Sequence, residues 1–436
     1  MTLALSPKRA IVAPAAWVKN ELWRRARAVP SLDLRFAENK SLVDATTGQN
    51  LVTFTRASSG TYVGSDGLIK TATTNLLLQS EDFSTTWTRT GVLAFGSGST
   101  VNAIAAPNGT VTADLITEDT STGVHRVNQA NLTVSAGLNT VSVYAKQGPG
   151  ARSLNINANV LTGAAAFFNL GNGTVTSVTA GSAAIQPVGD GWYKCSVTGT
   201  SAGTTSTAFI QLAVGTTNSY TGDGTSGIYI WGAQLEQSST VGEYIPTTST
   251  INSAPRFDHN PTTGESLGLL VEEQRTNLTL RSQEFDNAAW TKTGLLAFGS
   301  GSIANATTAP DSTTTADKIV EDTSTGSHNI IEAALITYTI NVAYTFSFFI
   351  KKAERQTVQI LMHPNPFPGT VAQRTTVFNS NTGSFVSVGS AYTGSSIVAL
   401  PNGWYRVSVS STADATSTGN FAVSLCSDDA GTTSYT

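Results

Sequence analysis

The sequence predicts an all-β protein built from tandem antiparallel β-sandwich domains of the jelly-roll kind. Of its 436 residues only 12% are charged and 39 are Gly, while Thr, Ser and Ala are abundant, a composition that favours strands joined by tight turns. Apolar and polar residues alternate in TVSVYAK (140–146) and WYRVSVS (404–410), as strands with one face in a core require. Turn sequences such as GNG, GDG and NTG separate these runs at hairpin-like spacing.

Long stretches of the sequence occur twice. TNLLLQSEDFSTTWTRTGVLAFGSGS, which begins at Thr74, returns as TNLTLRSQEFDNAAWTKTGLLAFGSGS from Thr276. VSVYAKQ (141–147) corresponds to FSFFIKK (346–352), and both copies contain GWY. Matches of this length indicate a tandem domain duplication rather than a short solenoid repeat.

These matches set the predicted domain boundaries. One jelly roll is predicted at 74–250 (copy 1) and another at 277–436 (copy 2). The segments 31–73 and 251–276 are predicted to form a small discontinuous β module, into which copy 1 is inserted. Residues 1–30 are predicted to be an N-terminal anchor with a short helix.

Copy 2 is predicted to lack its last strand. In copy 1 the strand GIYIWGAQLE (227–236) follows TTNSYT (216–221), whereas copy 2 reaches TTSYT at 432–436. A sandwich without a core strand exposes apolar surface and an unpaired edge. Two explanations are open: the native chain continues beyond Thr436, or a neighbouring subunit donates a strand.

The predicted anchor helix lies in PAAWVKNELWRRAR (14–27). Pro near its start and cationic residues at its end are typical of a short helix. Because Trp and Arg are favoured at interfaces, we expect this segment to bind another protein; the alternative is a solvated tail. The predicted contact residues are Trp17, Trp23, Arg24, Arg25 and Arg27.

Charge and composition exclude several classes of function. A net charge of -4 and a pI of about 5.6 leave no broad basic surface for nucleic acid. No apolar run approaches the roughly 20 residues that span a bilayer, and the N-terminus lacks the apolar core of a signal peptide. We therefore expect synthesis in the cytoplasm without secretion or membrane insertion. Cys195 and Cys426 occupy non-matching places in the two copies, so we expect buried thiols rather than a disulfide or zinc site.

The segment TADLITEDTSTGVH (112–125) returns as TADKIVEDTSTGSH (315–328). In one interpretation its carboxylates and His bind a Ca2+ ion or a glycan in each copy, although the spacing lacks a regular calcium loop. In the other, a strand leads into a turn whose Asp and Ser side chains bond to the backbone. No cofactor other than this Ca2+ is considered. The candidate ligands are Asp114, Glu118, Asp119 and His125 in copy 1 and Asp317, Glu321, Asp322 and His328 in copy 2.

The aromatic pairs of the GWY sequences also have two interpretations. Trp192 and Tyr193, and likewise Trp404 and Tyr405, follow a Gly turn at the start of a strand. Such rings could form a platform for sugar, but we expect each Trp to cap the core of its sandwich.

No catalytic residue is predicted, and the protein is not expected to be an enzyme. His259 and His363 lie in turns without a nucleophile motif, and the sequence contains no G-x-S-x-G, H-E-x-x-H or P-loop pattern. Glu272 and Glu273 are adjacent on an expected strand, so their side chains would face opposite ways.

The linking segments contain FTRASSGTYV (54–63) and PRFDHNPTTGESLGLLVEEQRTN (255–277), and the two copies contain WTRTG, WTKTG and GWY. In these sequences the chain resembles a family of phage virion proteins found on tails and head fibres. In that family the two linking segments are nearly continuous, whereas about 180 residues separate them here, the length of one jelly roll. The copies are also similar to carbohydrate-binding modules through the repeated TAD-EDTSTG-H pattern. The resemblance implies a binding or structural sandwich without catalytic residues.

These features together predict a virion structural protein, a tail-fibre-like or spike-like subunit anchored by its N-terminus and presenting jelly rolls for host adhesion. The alternatives are a capsid decoration or head-fibre protein without a ligand, and a polysaccharide depolymerase. The expected partners are other tail, portal-proximal or capsid proteins and a host-surface glycan, bound at residues that the sequence does not identify. A homo-oligomer is expected because avidity strengthens weak sugar contacts; the resemblance implies a trimer, although no heptad repeat is present.

Overall fold

The computed structural model describes residues 31–436 except Thr53, Gln274 and Pro368. It is 49% strand and 4% helix, with several antiparallel sheets, which confirms the predicted tandem β-sandwich class. Among these residues no helix is long and apolar enough to cross a membrane. The predicted anchor at 1–30, with its Trp and Arg residues, lies outside the described residues and stays a prediction.

The chain divides into two compact units. Unit 1 comprises the described part of Met1–Val52, with Tyr62–Lys70 and Phe257–Thr436. Unit 2 comprises Thr53–Thr61 and Thr71–Arg256. Copy 1 therefore lies in the second of these units and copy 2 in the first.

The linking segments form short elements. In unit 1, the Val63 N–H donates to Asp258 Oδ1 at 2.7 Å, and His259 Nδ1 lies 2.9 Å from the Val63 carbonyl oxygen. Parts of the predicted discontinuous module therefore meet, although the division into units runs through it. The elements are α1 (Phe36–Asn39), β1 (Thr61–Val63), β2 (Ile69–Thr71), β3 (Thr74–Asn75), β18 (Asn252–Ser253), β19 (Phe257–His259) and β20 (Ser266–Leu269).

The strand expected at Glu272 and Glu273 is a wrong prediction. Strand β20 ends at Leu269, which pairs with Phe257, the first residue of β19. Because Phe257 is the first residue of β19, the chain after Leu269 has no residue of β19 left to pair with. Both glutamates lie in an exposed irregular segment.

The first sandwich contains two six-stranded antiparallel sheets. Sheet A has the strand order β12-β11-β10-β15-β8-β4, and sheet B has the order β13-β14-β9-β17-β6-β5. The short strands β7 and β16 pair with each other. The strands are β4 (Thr88–Thr90), β5 (Thr100–Ile104), β6 (Ala113–Thr117), β7 (Thr122–Val124), β8 (Arg126–Thr133), β9 (Gly137–Gln147), β10 (Ser153–Ala158), β11 (Ala164–Asn169), β12 (Thr174–Ala180), β13 (Ser182–Gly189), β14 (Trp192–Ser201), β15 (Thr205–Ala213), β16 (Ser219–Thr221) and β17 (Gly227–Glu236).

The core of this sandwich lies between sheets A and B. Leu154 and Ile156 of β10 pack in one buried cluster with Val141 and Val143 of β9. Each pair is separated by one residue, so the alternation in the sequence directs every second side chain of these strands into the core.

The second sandwich has the same sheet A but a divided sheet B. Its sheet A has the order β21-β25-β34-β28-β29-β30, while the remaining layer consists of β27-β32-β31 and of β22-β23. The strands are β21 (Trp290–Thr293), β22 (Ile303–Thr307), β23 (Ala316–Lys318), β24 (Gly326–Ser327), β25 (Asn329–Glu332), β26 (Ile336–Tyr338), β27 (Ala343–Lys351), β28 (Thr357–Met362), β29 (Thr375–Asn379), β30 (Ser384–Val388), β31 (Gly394–Leu400), β32 (Trp404–Thr412), β33 (Ser417–Gly419), β34 (Phe421–Leu425) and β35 (Ser434–Tyr435). Short 3-10 turns occupy Pro149–Ala151, Asn159–Leu161, Ala372–Arg374 and Pro401–Gly403.

Sheet B of the second sandwich is divided where the first sandwich has strand β17. In the first sandwich β17 pairs antiparallel with β9 on one side and with β6 on the other. By the sequence repeat, β27 is equivalent to β9 and β23 to β6, yet none of the strands described for 277–436 lies between β27 and β23.

In the first sandwich, Asn75 makes four hydrogen bonds to the backbone, two of them to β17. Its Nδ2 donates to the carbonyl oxygens of Ala233 and Ile245, each at 2.9 Å. Its Oδ1 accepts from the N–H groups of Leu77 and Leu235, each at 3.1 Å. Asn75 is fully buried, so these backbone groups would have no water to replace it.

We expect Asn75→Ala to lower the free energy of unfolding by about 3 kcal/mol, because several buried backbone groups lose their partner. The matched control is Asn277→Ala, which changes the equivalent Asn of copy 2. Asn277 is exposed and its Oδ1 accepts a local bond from the Thr279 N–H at 3.0 Å, so we expect a change below about 0.5 kcal/mol. Urea unfolding of both variants measures the difference, and equal losses would contradict the assignment.

Candidate functional site

The repeated segment of copy 1 positions a buried carboxylate. Glu118, which follows β6, is fully buried and accepts two hydrogen bonds from Arg152, at 2.7 and 2.5 Å. Tyr220 Oη donates to Glu118 at 2.7 Å, and the Asp223 N–H donates at 2.8 Å. The pairing with Glu118 raises the pKa of Arg152 further above its ordinary value. All four acceptor positions of this carboxylate are therefore used within the protein.

Copy 2 repeats this arrangement with a more exposed carboxylate. Arg355 donates two hydrogen bonds to Glu321 through Nε and one through Nη2, and Tyr435 Oη donates at 2.6 Å. The Arg355 bonds hold the pKa of Glu321 below its ordinary value. The side chain of Glu321 is 27% exposed, whereas that of Glu118 is not exposed at all. Sequence reasoning missed Arg152, Arg355 and both tyrosines, although SYT recurs at the ends of both matching stretches.

The first Asp of each repeat fixes a turn. Asp114 Oδ2 accepts from the Phe83 N–H and its Oδ1 from the Asn102 N–H, both at 2.9 Å. Asp317 accepts from the backbone of Phe285 and Asn305 in the same way, at 2.8 Å each. Burial raises the pKa of Asp114 to about 6.

The second Asp of each repeat closes the turn that follows. Asp119 Oδ1 accepts from the N–H of Ser121 at 2.8 Å and from its hydroxyl at 2.5 Å. Asp322 makes the same two contacts with Ser324. Bonds from the Ser hydroxyls are the main reason that the pKa of each Asp is lowered.

Both repeated histidines are buried beside a Tyr ring. His125 Nδ1 lies within hydrogen-bond distance of the Gly91 carbonyl oxygen and Nε2 is 3.2 Å from that of Tyr220. His328 stacks on Tyr435, with ring centroids 4.4 Å apart. Neither ring nitrogen of His328 has a hydrogen-bond partner among the described residues.

This geometry favours the structural interpretation of the repeat. The Glu residues bind Arg and Tyr, and the Asp residues bind backbone N–H groups. In the described part of the chain, no group of three or more His, Cys, Asp or Glu residues is arranged to hold a metal ion. The calcium and glycan interpretation of these residues stays a prediction.

The GWY tryptophans are buried, but outside the core between the sheets: Trp192 packs with Ala106, Ala113 and Trp231 in a separate cluster. Trp192 is 2% exposed and its indole N–H donates to the Ala105 carbonyl oxygen at 3.2 Å. Trp404 is buried too, and donates to the Thr308 carbonyl oxygen at 3.0 Å. Neither ring belongs to the core cluster of its sandwich, so the expected core-capping position is not found, and both rings are too buried to form a sugar platform.

Both cysteines are free and buried. Burial raises the pKa of the Cys195 thiol, and that of Cys426 to about 12. Their positions agree with the expectation of buried thiols.

A second set of functional groups, which sequence reasoning missed, lies on the outer face of sheet A in the first sandwich. The inward side chains of β8, β15, β10 and β11 belong to the core, so the alternate residues point away from it. An available signal was the amide in every second position of LNIN (154–157). We call this set the polar face; it consists of Arg126, Asn128, Asn155, Asn157, Phe167, Phe209 and Gln211.

Strand register places these residues in two adjacent rows. Across the first row Arg126 is opposite Gln211, Gln211 is opposite Asn155, and Asn155 is opposite Phe167. In the second row Phe209 lies between Asn128 and Asn157. Directly opposed residues share a face of the sheet and contact each other.

Two polar atoms in the first row are buried and have no partner. Gln211 is 1% exposed; its Nε2 donates to Asn155 Oδ1 at 2.9 Å, but its Oε1 accepts no bond. Arg126 Nε likewise has no acceptor within the described chain. The Arg126 guanidinium carbon lies 4.3 Å from the Phe209 ring centroid, and burial lowers the pKa of Arg126. Unused donors and acceptors at neighbouring positions suit a ligand that offers both kinds of group.

Copy 2 does not reproduce the polar face. In register, Asn329 and Ser424 occupy the positions of Arg126 and Gln211. Ala422 and Leu361 replace Phe209 and Asn157. Gln359, opposite Ser424, keeps an amide at the position of Asn155, but the set as a whole occurs only in the first copy.

The two Arg–Glu pairs allow a matched test of burial. Arg152→Met leaves the buried Glu118 charge without its cation, and we expect a loss of about 3–5 kcal/mol. Arg355→Met leaves a partly exposed Glu321, and we expect a loss of about 1 kcal/mol. Calorimetric unfolding should show a fall in melting temperature several times larger for the first variant. Equal falls would mean that burial of the carboxylate does not determine the effect.

Comparison with known proteins leaves the family open. No family model and no curated protein matches the chain. Solved structures with local similarity include the enzymatically active domain of bacteriophage CBA120 tailspike protein 4, at 14% identity and TM-score 0.22, over 37% of this chain and 21% of that chain. They also include the CBM22-1–GH10 modules of a Clostridium thermocellum xylanase, at 13% identity and TM-score 0.23, over 40% and 30%.

A third similar structure is the tandem CBM22 domain of Paenibacillus barcinonensis Xyn10C, at 11% identity and TM-score 0.24, over 80% of this chain and 89% of that chain. This chain spans less than a third of the length of the tailspike and xylanase chains. Similarity at this level assigns neither a family nor an activity.

Proposed function

We propose that the protein is a non-enzymatic structural protein of a phage virion, a tail-fibre-like or spike-like subunit that binds a host-surface glycan on the polar face of its first sandwich. The virion part of the proposal depends on the resemblance of residues 54–63 and 255–277 to phage virion proteins. The binding part depends on one observation, the buried and unpartnered Arg126 Nε and Gln211 Oε1 at opposed positions of one sheet.

The chemistry of the polar face suits sugars. Each sugar hydroxyl can donate and accept a hydrogen bond, and amide side chains offer both functions in a fixed geometry. The Arg126 guanidinium has no anionic partner among the described residues, so a ligand carboxylate would supply one. Partly exposed Phe167 adds an apolar surface beside these groups.

The polar face offers no catalytic pair. It contains neither Asp nor Glu, whereas glycoside hydrolysis commonly needs two carboxyl groups beside the scissile bond. The repeated carboxylates Glu118 and Glu321 are bound by Arg and Tyr. These contacts favour adhesion over a depolymerase. A single weak site in each chain would gain strength through avidity in an oligomer.

We expect the purified chain to bind at least one member of an array of bacterial surface glycans, with a preference for acidic sugars. Arg126→Ala should weaken that binding by about tenfold or more, since bonds from charged groups contribute about 1.5–3 kcal/mol. The matched control, Asn329→Ala at the equivalent position of copy 2, should leave binding unchanged. Binding that survives Arg126→Ala would place the ligand elsewhere, and no binding at all would favour a decoration protein without a ligand.

Two further measurements separate the competing functions. Release of reducing sugar ends from a bound polysaccharide would favour a depolymerase. Deletion of residues 1–30 should abolish incorporation into particles if this segment is the anchor; retained incorporation would count against an anchored appendage.

A further inference from the structure

A buried amide of the first sandwich is replaced by a carboxyl group in the second. Gln129 of β8 and Glu332 of β25 each lie four residues after the His of the repeated segment. Their side chains are 6% and 0% exposed. Each contacts the backbone of the segment that enters its own sandwich, at Leu78 in copy 1 and at Leu280 in copy 2. The two copies therefore place chemically different groups at one equivalent contact.

In copy 1 the amide binds both backbone groups of Leu78. Gln129 Oε1 accepts from the Leu78 N–H at 3.0 Å, and Gln129 Nε2 donates to the Leu78 carbonyl oxygen at 2.5 Å. The same Nε2 also donates to Thr86 Oγ1 at 3.4 Å. An amide side chain can make this two-sided contact because it carries both an acceptor and two donors.

In copy 2 only half of the contact is formed. Glu332 Oε1 accepts from the Leu280 N–H at 3.2 Å, but the buried Oε2 has no partner among the described residues. Ala289 stands at the position of Thr86 in the repeat, so that hydroxyl is absent as well. An ionised carboxylate can only accept hydrogen bonds, whereas a protonated carboxyl group can also donate one to a carbonyl oxygen.

The surroundings of this contact are the same in both copies. The Trp87 indole N–H donates to the Gln79 carbonyl oxygen at 3.2 Å. In copy 2 the Trp290 indole N–H donates to the Arg281 carbonyl oxygen at 3.0 Å. Gln79 and Arg281 also share a positive φ, 47° and 53°. None of the hydrogen-bond partners of Gln129 lies in β17, so the difference between Gln129 and Glu332 does not arise from the divided sheet B.

Glu332 has no neutralising cation. It forms no ion pair within the described chain, and burial raises its pKa, opposed by the bond from the Leu280 N–H. Arg281 is paired with Glu284, and Lys292 donates to backbone carbonyl oxygens. His328 precedes the strand of Glu332 itself. The charged or titratable groups on the elements around Glu332 are Arg281, Glu284, Asp286, Lys292, Tyr338 and His363.

We propose that Glu332 is a proton-dependent switch in the second sandwich. When it is protonated, its Oε2–H donates to the Leu280 carbonyl oxygen and reproduces the two-sided contact of Gln129. When it is ionised, it keeps only the bond from the Leu280 N–H and leaves a charged oxygen buried without a partner. The segment that enters the second sandwich is therefore held more firmly in the protonated state. This proposal is independent of glycan binding.

The direction of the pH dependence follows from the raised pKa. Because the pKa of Glu332 is higher in the native protein than in an unfolded chain, the native protein binds more protons between these two pKa values. The stability of the second sandwich therefore rises as the pH falls through this window. The gain is lost as the pH rises through the native pKa.

Trypsin cleavage after Arg281 measures how firmly the segment is held. At a pH of about 8, where carboxyl groups are ordinarily ionised, we expect Glu332→Gln in the intact chain to slow this cleavage. The decrease should be at least about threefold, because the segment regains a hydrogen bond. Cleavage after the exposed Arg275 is the internal control and should not change. Mass spectrometry distinguishes the two products.

Two further variants separate the hydrogen bond from the buried charge. Glu332→Met removes the charge without supplying a donor, so cleavage after Arg281 should be faster than in Glu332→Gln. Gln129→Glu makes the converse exchange in copy 1, and calorimetry should then show that the melting temperature of the first sandwich falls more steeply with rising pH than in the wild type. Asp114, whose pKa is about 6, is present in every variant and does not affect these comparisons.

Carbon-13 NMR of a chain labelled at the Glu side-chain carboxyl carbons measures the titration directly. The signal that Glu332→Gln removes belongs to Glu332, and it should titrate at a higher pH than the signals of the exposed glutamates. Three results would overturn the proposal: titration of this signal within or below the range of the exposed glutamates, equal cleavage after Arg281 in the wild type and Glu332→Gln, or equal protection by Glu332→Met and Glu332→Gln. The last result would leave burial of the charge as the only effect.

Discussion

A central strand must have a hydrogen-bonded neighbour on each side, and this constraint governs both sandwiches. In the first, β17 joins β9 to β6 and completes a six-stranded layer. In the second, the equivalent strands stand apart, and the layer is divided at one position. Phe349 and Asn277 are exposed beside this position. Within the described residues, the layer is therefore continuous in copy 1 and divided in copy 2.

The duplication preserved interactions that maintain the fold and changed groups that face outward. In each copy a Glu of the repeated segment, Glu118 or Glu321, binds an Arg and a Tyr that are distant in sequence. By contrast, the polar face is lost between copies where Phe209 corresponds to Ala422. Buried ionic contacts are costly to disrupt, whereas outer side chains can change with little effect on stability. This distinction separates the scaffold from the candidate binding surface.

Much of the fold could be predicted from the sequence because its signals are local. Alternation in β9 and β32 predicts strands, and the Gly turns predict their ends. The strand expected at Glu272 was wrong because β20 can pair only as far as its hairpin partner β19 extends, and β19 begins at Phe257. The partners of Glu118 lie 34 and 102 residues away in sequence, so no spacing rule could connect them. The polar face was missed for the same reason: Arg126, Gln211 and Asn155 become neighbours only through strand register.

The entrance and exit of the first sandwich lie side by side. Thr74 is opposite Ser253 in the pair β3–β18, with their hydroxyl oxygens 2.6 Å apart. A domain whose two ends are adjacent can be inserted, deleted or exchanged as one piece, because the flanking segments can then be joined with little rearrangement. Recombination at this junction would replace the first sandwich with another domain and leave the residues of the second sandwich unchanged.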